Sequence, residues 1–302
     1  MNAIEVKNLT KTYRTGTKAL KGVDLTVAEG DFFALLGANG AGKTTIIGIL
    51  TGLVTKSSGQ ASIFGHDIDD DFEAAKRCIG VVPQEFNFNM FEQVQDIVVN
   101  QAGYFGIEQK QALHDSEGIL KRVGLWEKRK AVARTLSGGM KRRLMIARGL
   151  IHHPRMLILD EPTAGVDVEL RHGMWKYLNE INAQGVTILL TTHYLEEVEE
   201  MCRNCAIIKE GEIVLFDSVR NILTNAPQDT YRVTVKDMLS LDGVSCFKPV
   251  KVDDHTLDVE IQKREDLNGF IVKLAQSGFV ITDFHPKGNR LEKLFLEIVQ
   301  KK

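Results

Sequence analysis

A mostly parallel α/β sheet, interrupted by a helical insertion and followed by a small α+β appendix, is the fold class this sequence predicts. Short apolar runs that read as buried strands alternate with helical stretches, the pattern of βαβ units. A glycine loop, GANGAGKT at Gly37–Thr44, stands between one such run and a helix. From Phe86 to Leu150 helical periodicity holds without a strand signal, which reads as an insertion into the sheet.

The elements follow in order. Between Ala3 and Val27 apolar residues alternate with polar ones (Ile4, Val6, Leu9, then Leu20, Val23, Leu25, Val27), as in antiparallel strands joined by turns. DFFALL at Asp31–Leu36 is a short apolar strand. The glycine loop follows, then a helix from Lys43 to about Leu50. Ala61–Phe64 is another strand, with a turn at Gly65, and Cys78–Val82 is a buried strand ended by Pro83. Val94, Ile97, Val98 and Gln101 open the helical pattern, and Leu113, Ile119, Leu120 and Val123 continue it. Strands return at Met156–Asp160 and Val186–Thr191, each after a plausible crossover helix. NAPQD at Asn225–Asp229 is rich in turn formers and marks a boundary. The expected domains are therefore 1–225, with the helical insertion over about 86–150, and 226–302. In the second, TYRVTV and TLDVEI alternate as strands, Leu267–Ala275 is a helix and Phe279–Phe284 a strand. Leu291, Leu294, Phe295, Ile298 and Val299 then share one face of a final helix.

Composition narrows the function classes. The 302 residues suffice for one large domain and one small one. Lys and Arg number 38 and Asp and Glu 40, a formal net charge of -2. The basic excess typical of nucleic-acid binding is missing, and no such partner is expected. No apolar run approaches the ~20 residues that cross a bilayer. MNAIEVKNLT lacks the basic and apolar regions of a signal peptide. Any membrane role is expected to come through a partner. Cys78, Cys202, Cys205 and Cys246 suggest no disulfide framework, which suits a reducing cytoplasm. Cys202 and Cys205 form a C-x-x-C pair. With no second ligand pair nearby and no thioredoxin-like context, they are read as buried thiols rather than half a zinc site or a redox pair.

The glycine loop matches G-x-x-x-x-G-K-[ST] in the strand–loop–helix context that the match requires. Glycines let the backbone curl so that successive N–H groups face phosphate oxygens, and the helix N-terminus adds positive potential. Lys43 places an ammonium on the β- and γ-phosphates, and Thr44 offers a hydroxyl to Mg²⁺. MLILDE at Met156–Glu161 is a buried strand whose carboxyl end delivers two carboxylates, where open α/β sheets place ligand chemistry. Asp160 is the candidate metal-side group, and Glu161 the candidate general base for an attacking water.

With these motifs the chain resembles the ATP-binding subunits of ABC transporters, from Ile4 to about Phe216. Leu136–Met140, LSGGM, matches the family signature; Gln84, after CIGVVP, matches the Q-loop glutamine. His193 in TTHYLEE matches the switch histidine, Asp167 in AGVD the D-loop aspartate, and Tyr13 the aromatic that stacks on adenine. The resemblance implies a P-loop NTPase (RecA-like) core with an antiparallel β subdomain, an inserted helical subdomain and a small C-terminal α+β domain. It implies ATP and Mg²⁺ as cofactors. Gly37, Ala38, Asn39, Gly40, Ala41, Gly42, Lys43, Thr44, Thr45 and Gln84 would line the nucleotide, with Thr44, Gln84 and Asp160 toward the metal. Glu161, His193 and Lys43 would carry the chemistry. Ser137, Gly138 and Gly139 would act in trans on a second copy in a head-to-tail homodimer, with Asp167 linking the two sites.

The resemblance further implies a separate integral membrane permease subunit and a place on the cytoplasmic face of the membrane. Met140 where glutamine is commoner, and AGVD where SALD is commoner, look like the type-2 exporter subfamily. Within it the chain is similar to the YadG-like bacterial exporter ATPases. The weighed alternative is a non-transport ABC ATPase acting on ribosomes or DNA, but the chain has neither a second cassette nor a long coiled-coil insertion. A P-loop kinase or GTPase does not account for LSGG, Gln84 and His193 together. Phe86, Phe88, Met90 and Phe91 follow Gln84 and form either an apolar groove for a helix of the membrane subunit or part of the helical core. The basic run Lys141–Arg143 reads as a solvated helix face with one arginine supporting the signature, rather than as a nucleic-acid patch.

Overall fold

The computed structural model describes residues 1–163, 168–225, 229–237, 240–261, 267–287 and, beyond these, 291, 292, 294, 295 and 298. The chain divides into two compact units, Met1–Val219 and Arg220–Lys302.

The first unit runs β1 (Asn2–Thr12), β2 (Lys18–Ala28), β3 (Phe32–Leu36), α1 (Lys43–Leu50), β4 (Ser58–Ile63), β5 (His66–Asp67), α2 (Phe72–Arg77) and β6 (Ile79–Val82). Then come α3 (Val94–Tyr104), α4 (Gln109–Arg122), α5 (Gly138–Leu150), β7 (Met156–Asp160), α6 (Val168–Ala183), β8 (Thr187–Thr192), α7 (Leu195–Met201), β9 (Asn204–Lys209) and β10 (Glu212–Ser218). β2-β1-β4-β5 form one antiparallel sheet. Its strands alternate as read, with Ile4, Val6, Leu9, Leu20, Val23, Leu25 and Val27 buried.

The second sheet has the order β10-β9-β3-β8-β7-β6. Its five inner and far-edge strands are parallel, and β10 joins antiparallel to β9. Every residue of β3 and β8 is buried, as expected of strands covered on both faces. β10 carries no strand signal in the sequence. On the sheet edge it leaves Val214 and Phe216 about half exposed, so the apolar run EIVLFDS carries no clear alternation.

α3, α4 and α5 share a core of their own around Val98, Leu120 and Leu144. The insertion is tied to the sheet where α5 lies on β6. A Cβ on Gly80 would stand 2.1 Å from the carbonyl oxygen of Gly149, so only glycine allows this approach. The C-x-x-C thiols are free and buried, at the end of α7 and within β9. Burial pushes Cys205 up to about 12 and Cys202 well above its ordinary range, which suits inert packing rather than redox chemistry.

The second unit holds β11 (Asp229–Val235), a 3-10 stretch at Asp242–Phe247, β12 (Val250–Lys251), β13 (Thr256–Ile261), α9 (Leu267–Gln276) and β14 (Ile281–Pro286). A further helix, α8 (Val219–Asn225), begins at the junction. The sheet is antiparallel, in the order β12-β13-β11-β14. One face packs Tyr231, Val233, Leu257 and Val259 with Phe270 and Leu274 of α9. At the C-terminus Leu291, Leu294, Phe295 and Ile298 are helical and Leu291 is buried, whereas Val299 lies outside the described residues.

On the sheet's other face Asp258 takes two hydrogen bonds from Arg232, at 2.9 and 3.1 Å, and one from Lys287. The Arg232 guanidinium, aided by the Lys287 ammonium, holds this carboxyl at about 2. A carboxylate depressed in the folded state stabilises the fold above the ordinary carboxylate range. That contribution is lost as pH falls through the folded value. Asp258→Asn is therefore expected to lose less stability than the wild type between pH ~4 and ~2, read as chemical-denaturation midpoints of the full chain. Parallel losses in both would contradict the assignment.

Candidate functional site

The sheet register builds the site. Leu36 of β3 pairs with Thr192 of β8, Asp160 of β7 with Thr191 of β8, and Val82 of β6 with Leu159 of β7. Four neighbouring strands therefore end on one edge. They release there the Gly37–Gly42 loop, His193, Glu161 and Pro83-Gln84, at the carboxyl edge where open α/β sheets bind ligands.

The loop winds tightly. A Cβ on Gly37 would lie 2.6 Å from the carbonyl oxygen of Ile208, and Gly42 has a φ of 120°. Its last turn leads into α1, whose N-terminus has no side-chain cap and no acidic residue in the first turn. Those free amides suit an anion. Lys43 is 6% exposed, and its ammonium folds back onto the carbonyl oxygens of Gly37 (2.6 Å) and Ala38 (3.2 Å). Burial lowers its pKa, against the pull of Glu161 and Asp160. Ala38, Asn39, Gly40 and Thr44 are exposed, and Ala41 and Gly42 are buried. The Tyr13 hydroxyl lies 3.3 Å from that of Thr45, which brings the ring to the first turn of α1.

Glu161 is the hub. Gln84 donates from Nε2 to its Oε2 at 3.1 Å, and His193 Nδ1 lies 3.2 Å from its Oε1. The residue has a φ of 47°, a left-handed conformation that a non-glycine residue adopts at a cost. Its amide holds that turn by donating to the carbonyl oxygen of Thr191 at 2.9 Å. The Thr191 hydroxyl donates to Asp160 Oδ1 and stands 3.3 Å from the Glu161 amide. A carboxylate fixed between two side chains, beside a buried lysine and an anion cradle, can accept a proton from a positioned water.

The structure thus brings together Lys43, Gln84, Asp160, Glu161 and His193. Ser137 instead caps α5, its hydroxyl accepting from the Met140 amide at 3.3 Å, and Gly138 and Gly139 form the first turn of that helix. None of their hydrogen bonds among the described residues reaches the Glu161 group. Asp167 lies outside the described residues. Sequence reading missed Thr191, since TT between an apolar strand and His193 carries no mark of its own. Of the basic run, Arg142 is the arginine that leaves the solvated face, and it supports the Gln84 segment. Arg142 is 3% exposed and donates to the carbonyl oxygens of Pro83 (2.8 Å) and Gln84 (2.9 Å), which offset its desolvation. The spacing Gly139, Arg142, Ile146, Gly149 places it on the inward face of α5 and was the available signal.

Residues 20–164 match the family model described as ABC transporter. The chain is 35% identical over 304 residues to the linearmycin resistance ATP-binding protein LnrL of Bacillus subtilis (strain 168), covering 98% of this chain and 97% of that protein. The chain belongs to the ABC transporter ATP-binding proteins. Another relative of this family is the Nod factor export ATP-binding protein I of Burkholderia thailandensis, 36% identical over 257 residues, covering 85% of this chain and 78% of that protein. Among solved ABC structures, cbiO1 from Clostridium perfringens, part of the transporter complex cbiONQ, aligns with a TM-score of 0.68 at 31% identity. That alignment covers 73% of this chain and 90% of cbiO1. The cassette MJ0796, solved as a dimer in a post-hydrolysis state bound to ADP and Pi, aligns at 0.65 with 26% identity, covering 72% of this chain and 99% of that one. The first unit is therefore a P-loop NTPase of the ABC type. It binds ATP and carries a transport-associated ATPase activity, and cassettes of this family act as dimers with membrane subunits.

Thr191→Val keeps shape but removes the hydroxyl that joins Asp160 to the Glu161 turn. We expect a loss of about 1–2 kcal/mol in urea unfolding and a lower turnover of ATP. An unchanged unfolding midpoint would show that the turn does not depend on this hydroxyl.

Proposed function

We propose that this ABC ATP-binding protein powers export through a separate integral membrane subunit, by ATP-driven closure of a head-to-tail homodimer at the cytoplasmic face of the membrane. The observation that carries the reading is the Glu161 hub beside the Lys43 loop. One chain holds a base and a phosphate cradle on one sheet edge, while its LSGG turn belongs to another element. Two such anion-binding helix starts from different copies would enclose the γ-phosphate. The relative named for Nod factor export supports the export direction.

In this reading Lys43 moves from the Gly37 and Ala38 carbonyls onto the β- and γ-phosphates, and the Gly37–Thr45 amides and hydroxyls hold the rest. Tyr13 stacks on the base. Glu161 orients and polarises the attacking water, and His193 holds Glu161 and approaches the γ-phosphate. Ser137, Gly138 and Gly139 of the second copy complete the site, and Asp167 links the pair. Thr44, Gln84 and Asp160 carry hard oxygen donors, a set that would hold Mg²⁺ through one carboxylate, water and phosphates. When bound, Mg²⁺ offsets phosphate charge.

No helix among the described residues is long and apolar enough to cross a membrane. Attachment would run through the membrane subunit, beside the Gln84 segment. Here the aromatics divide. Phe91 is 73% exposed and Phe86 37%, while Phe88 packs on the helical core. A charge at Phe88 would therefore damage the fold, and Phe91 is the residue for the docking test. Residues 1–225 serve as the ATP-binding domain, with 226–302 as an accessory domain.

Glu161→Gln is expected to bind ATP, hydrolyse it slowly and elute as a dimer in MgATP. Wild-type hydrolysis by this variant would refute the base assignment. Phe91→Glu is expected to leave basal ATPase and the unfolding midpoint unchanged but to lose co-purification with the membrane subunit. Full retention would place the docking surface elsewhere.

A further inference from the structure

Arg142 carries a buried charge that the proposed chemistry does not use. Its guanidinium spans two successive backbone carbonyls, Pro83 through Nη1 at 2.8 Å and Gln84 through Nη2 at 2.9 Å. The Phe86 ring centroid lies 5.1 Å from its central carbon, and Nε has no hydrogen-bond partner. Among the described residues no carboxylate forms a salt bridge with it. An apolar side chain would fill this space without the desolvation cost, but it would not hold two carbonyls.

The position of this contact matters. Arg142 stands five residues after Ser137, the cap of α5, so it rises about 7.5 Å along the same helix. Further along, Gly149 of α5 rests on Gly80 of β6, where a Cβ on Gly80 would stand 2.1 Å from the Gly149 carbonyl oxygen. The two elements are thus joined at the base of β6, and Arg142 joins them again just past its carboxyl end. Beyond the clamp, the Gln84 side chain reaches Glu161 Oε2 at 3.1 Å.

We propose that Arg142 is a positioning residue that ties the Gln84 segment to the Ser137-capped helix, so that the placement of α5 sets the Gln84–Glu161 hydrogen bond. The proposal rests on Glu161 acting as the base. It adds a route by which seating of the LSGG turn on a nucleotide is felt at that base within the same chain. The exposed Phe86, whose ring faces the guanidinium, gives the same clamp a face to solvent.

Lysine keeps the charge and the stem but not the planar fork, and it cannot hold both carbonyls in this geometry. In Arg142→Lys, kcat is expected to fall about tenfold with the KM for ATP and the unfolding midpoint nearly unchanged, since a small misplacement of a reacting group lowers turnover. Gln84→Ala combined with Arg142→Lys should lose no more than the worse single variant, because both act through one hydrogen bond. Independently of hydrolysis, the rate of chymotryptic cleavage after Phe86 without nucleotide should rise about tenfold in Arg142→Lys, as the segment opens more often. Arg142→Gln provides the same readings should the lysine variant fold poorly. Unchanged cleavage in a folded variant would overturn the clamp. Multiplying kcat losses in the double variant, or a joint fall of kcat, midpoint and ATP affinity, would reduce Arg142 to a structural role. A wild-type chain unable to hydrolyse MgATP would sink the assignment of Glu161, while the cleavage measurement would still decide the clamp.

Discussion

The parallel register of β6, β7, β8 and β3 is the constraint on which the rest of the first unit depends. Parallel pairing sends four chain segments out at one edge, and the pairing of Val82 with Leu159, Asp160 with Thr191 and Thr192 with Leu36 brings those exits level. A slip of one residue in β7 would turn Asp160 to the opposite face and draw Glu161 away from Gln84 and His193. The register is held by strands with almost no polar side chain to spend on solvent. Those of β3 are Phe, Phe, Ala, Leu and Leu, and β7 offers Met, Leu, Ile and Leu before its aspartate. Burial on both faces fixes the sheet, and the sheet fixes the chemistry.

At the edge, local conformation takes over from packing. Glu161 leaves β7 through a left-handed residue, and Thr191 from the neighbouring strand fastens that turn from below. Lys43 reaches back over the loop to Gly37 and Ala38, where burial weakens its hold on a proton and Glu161 and Asp160 strengthen it. A cation waiting on carbonyl oxygens is readily surrendered to phosphates, which are stronger acceptors. The turn proposed as the second anion site, at Ser137, caps α5 in the helical insertion. This division of donors between two bodies is the physical basis for the proposed dimer.

Much of this was legible in the sequence because two kinds of signal coincide. Apolar runs marked β3, β7 and β8, and the glycine loop and DE pair fell at the ends of those runs. Lys43, Asp160, Glu161, Gln84 and His193 were each named from residues or resemblance, and all five gather at one edge. What stayed hidden depends on tertiary contact. Thr191 looks like any strand threonine until Asp160 stands beside it. Arg142 sits in a basic run whose charge suggests solvent, yet helical spacing turns it inward to Pro83 and Gln84. Phe88 and Phe91 carry the same side chain three residues apart, and only the packing of α3 to α5 separates core from surface. β10 was obscured by an apolar edge strand without alternation.

The central claim is that the nucleotide site is completed by a second copy, with Lys43 and Ser137 of opposite chains facing one ATP. Mixing two inactive variants tests it most directly. A Lys43→Ala chain and a Ser137→Arg chain are each expected to be inactive alone, because every site in either homodimer carries a defect. In a mixed head-to-tail dimer both defects fall in one site and the other is intact, so ATPase activity should reappear on mixing, at up to about a quarter of the wild-type rate per chain with random pairing. A mixed dimer that forms but stays inactive, or a Ser137→Arg chain as active as the wild type, would contradict the account.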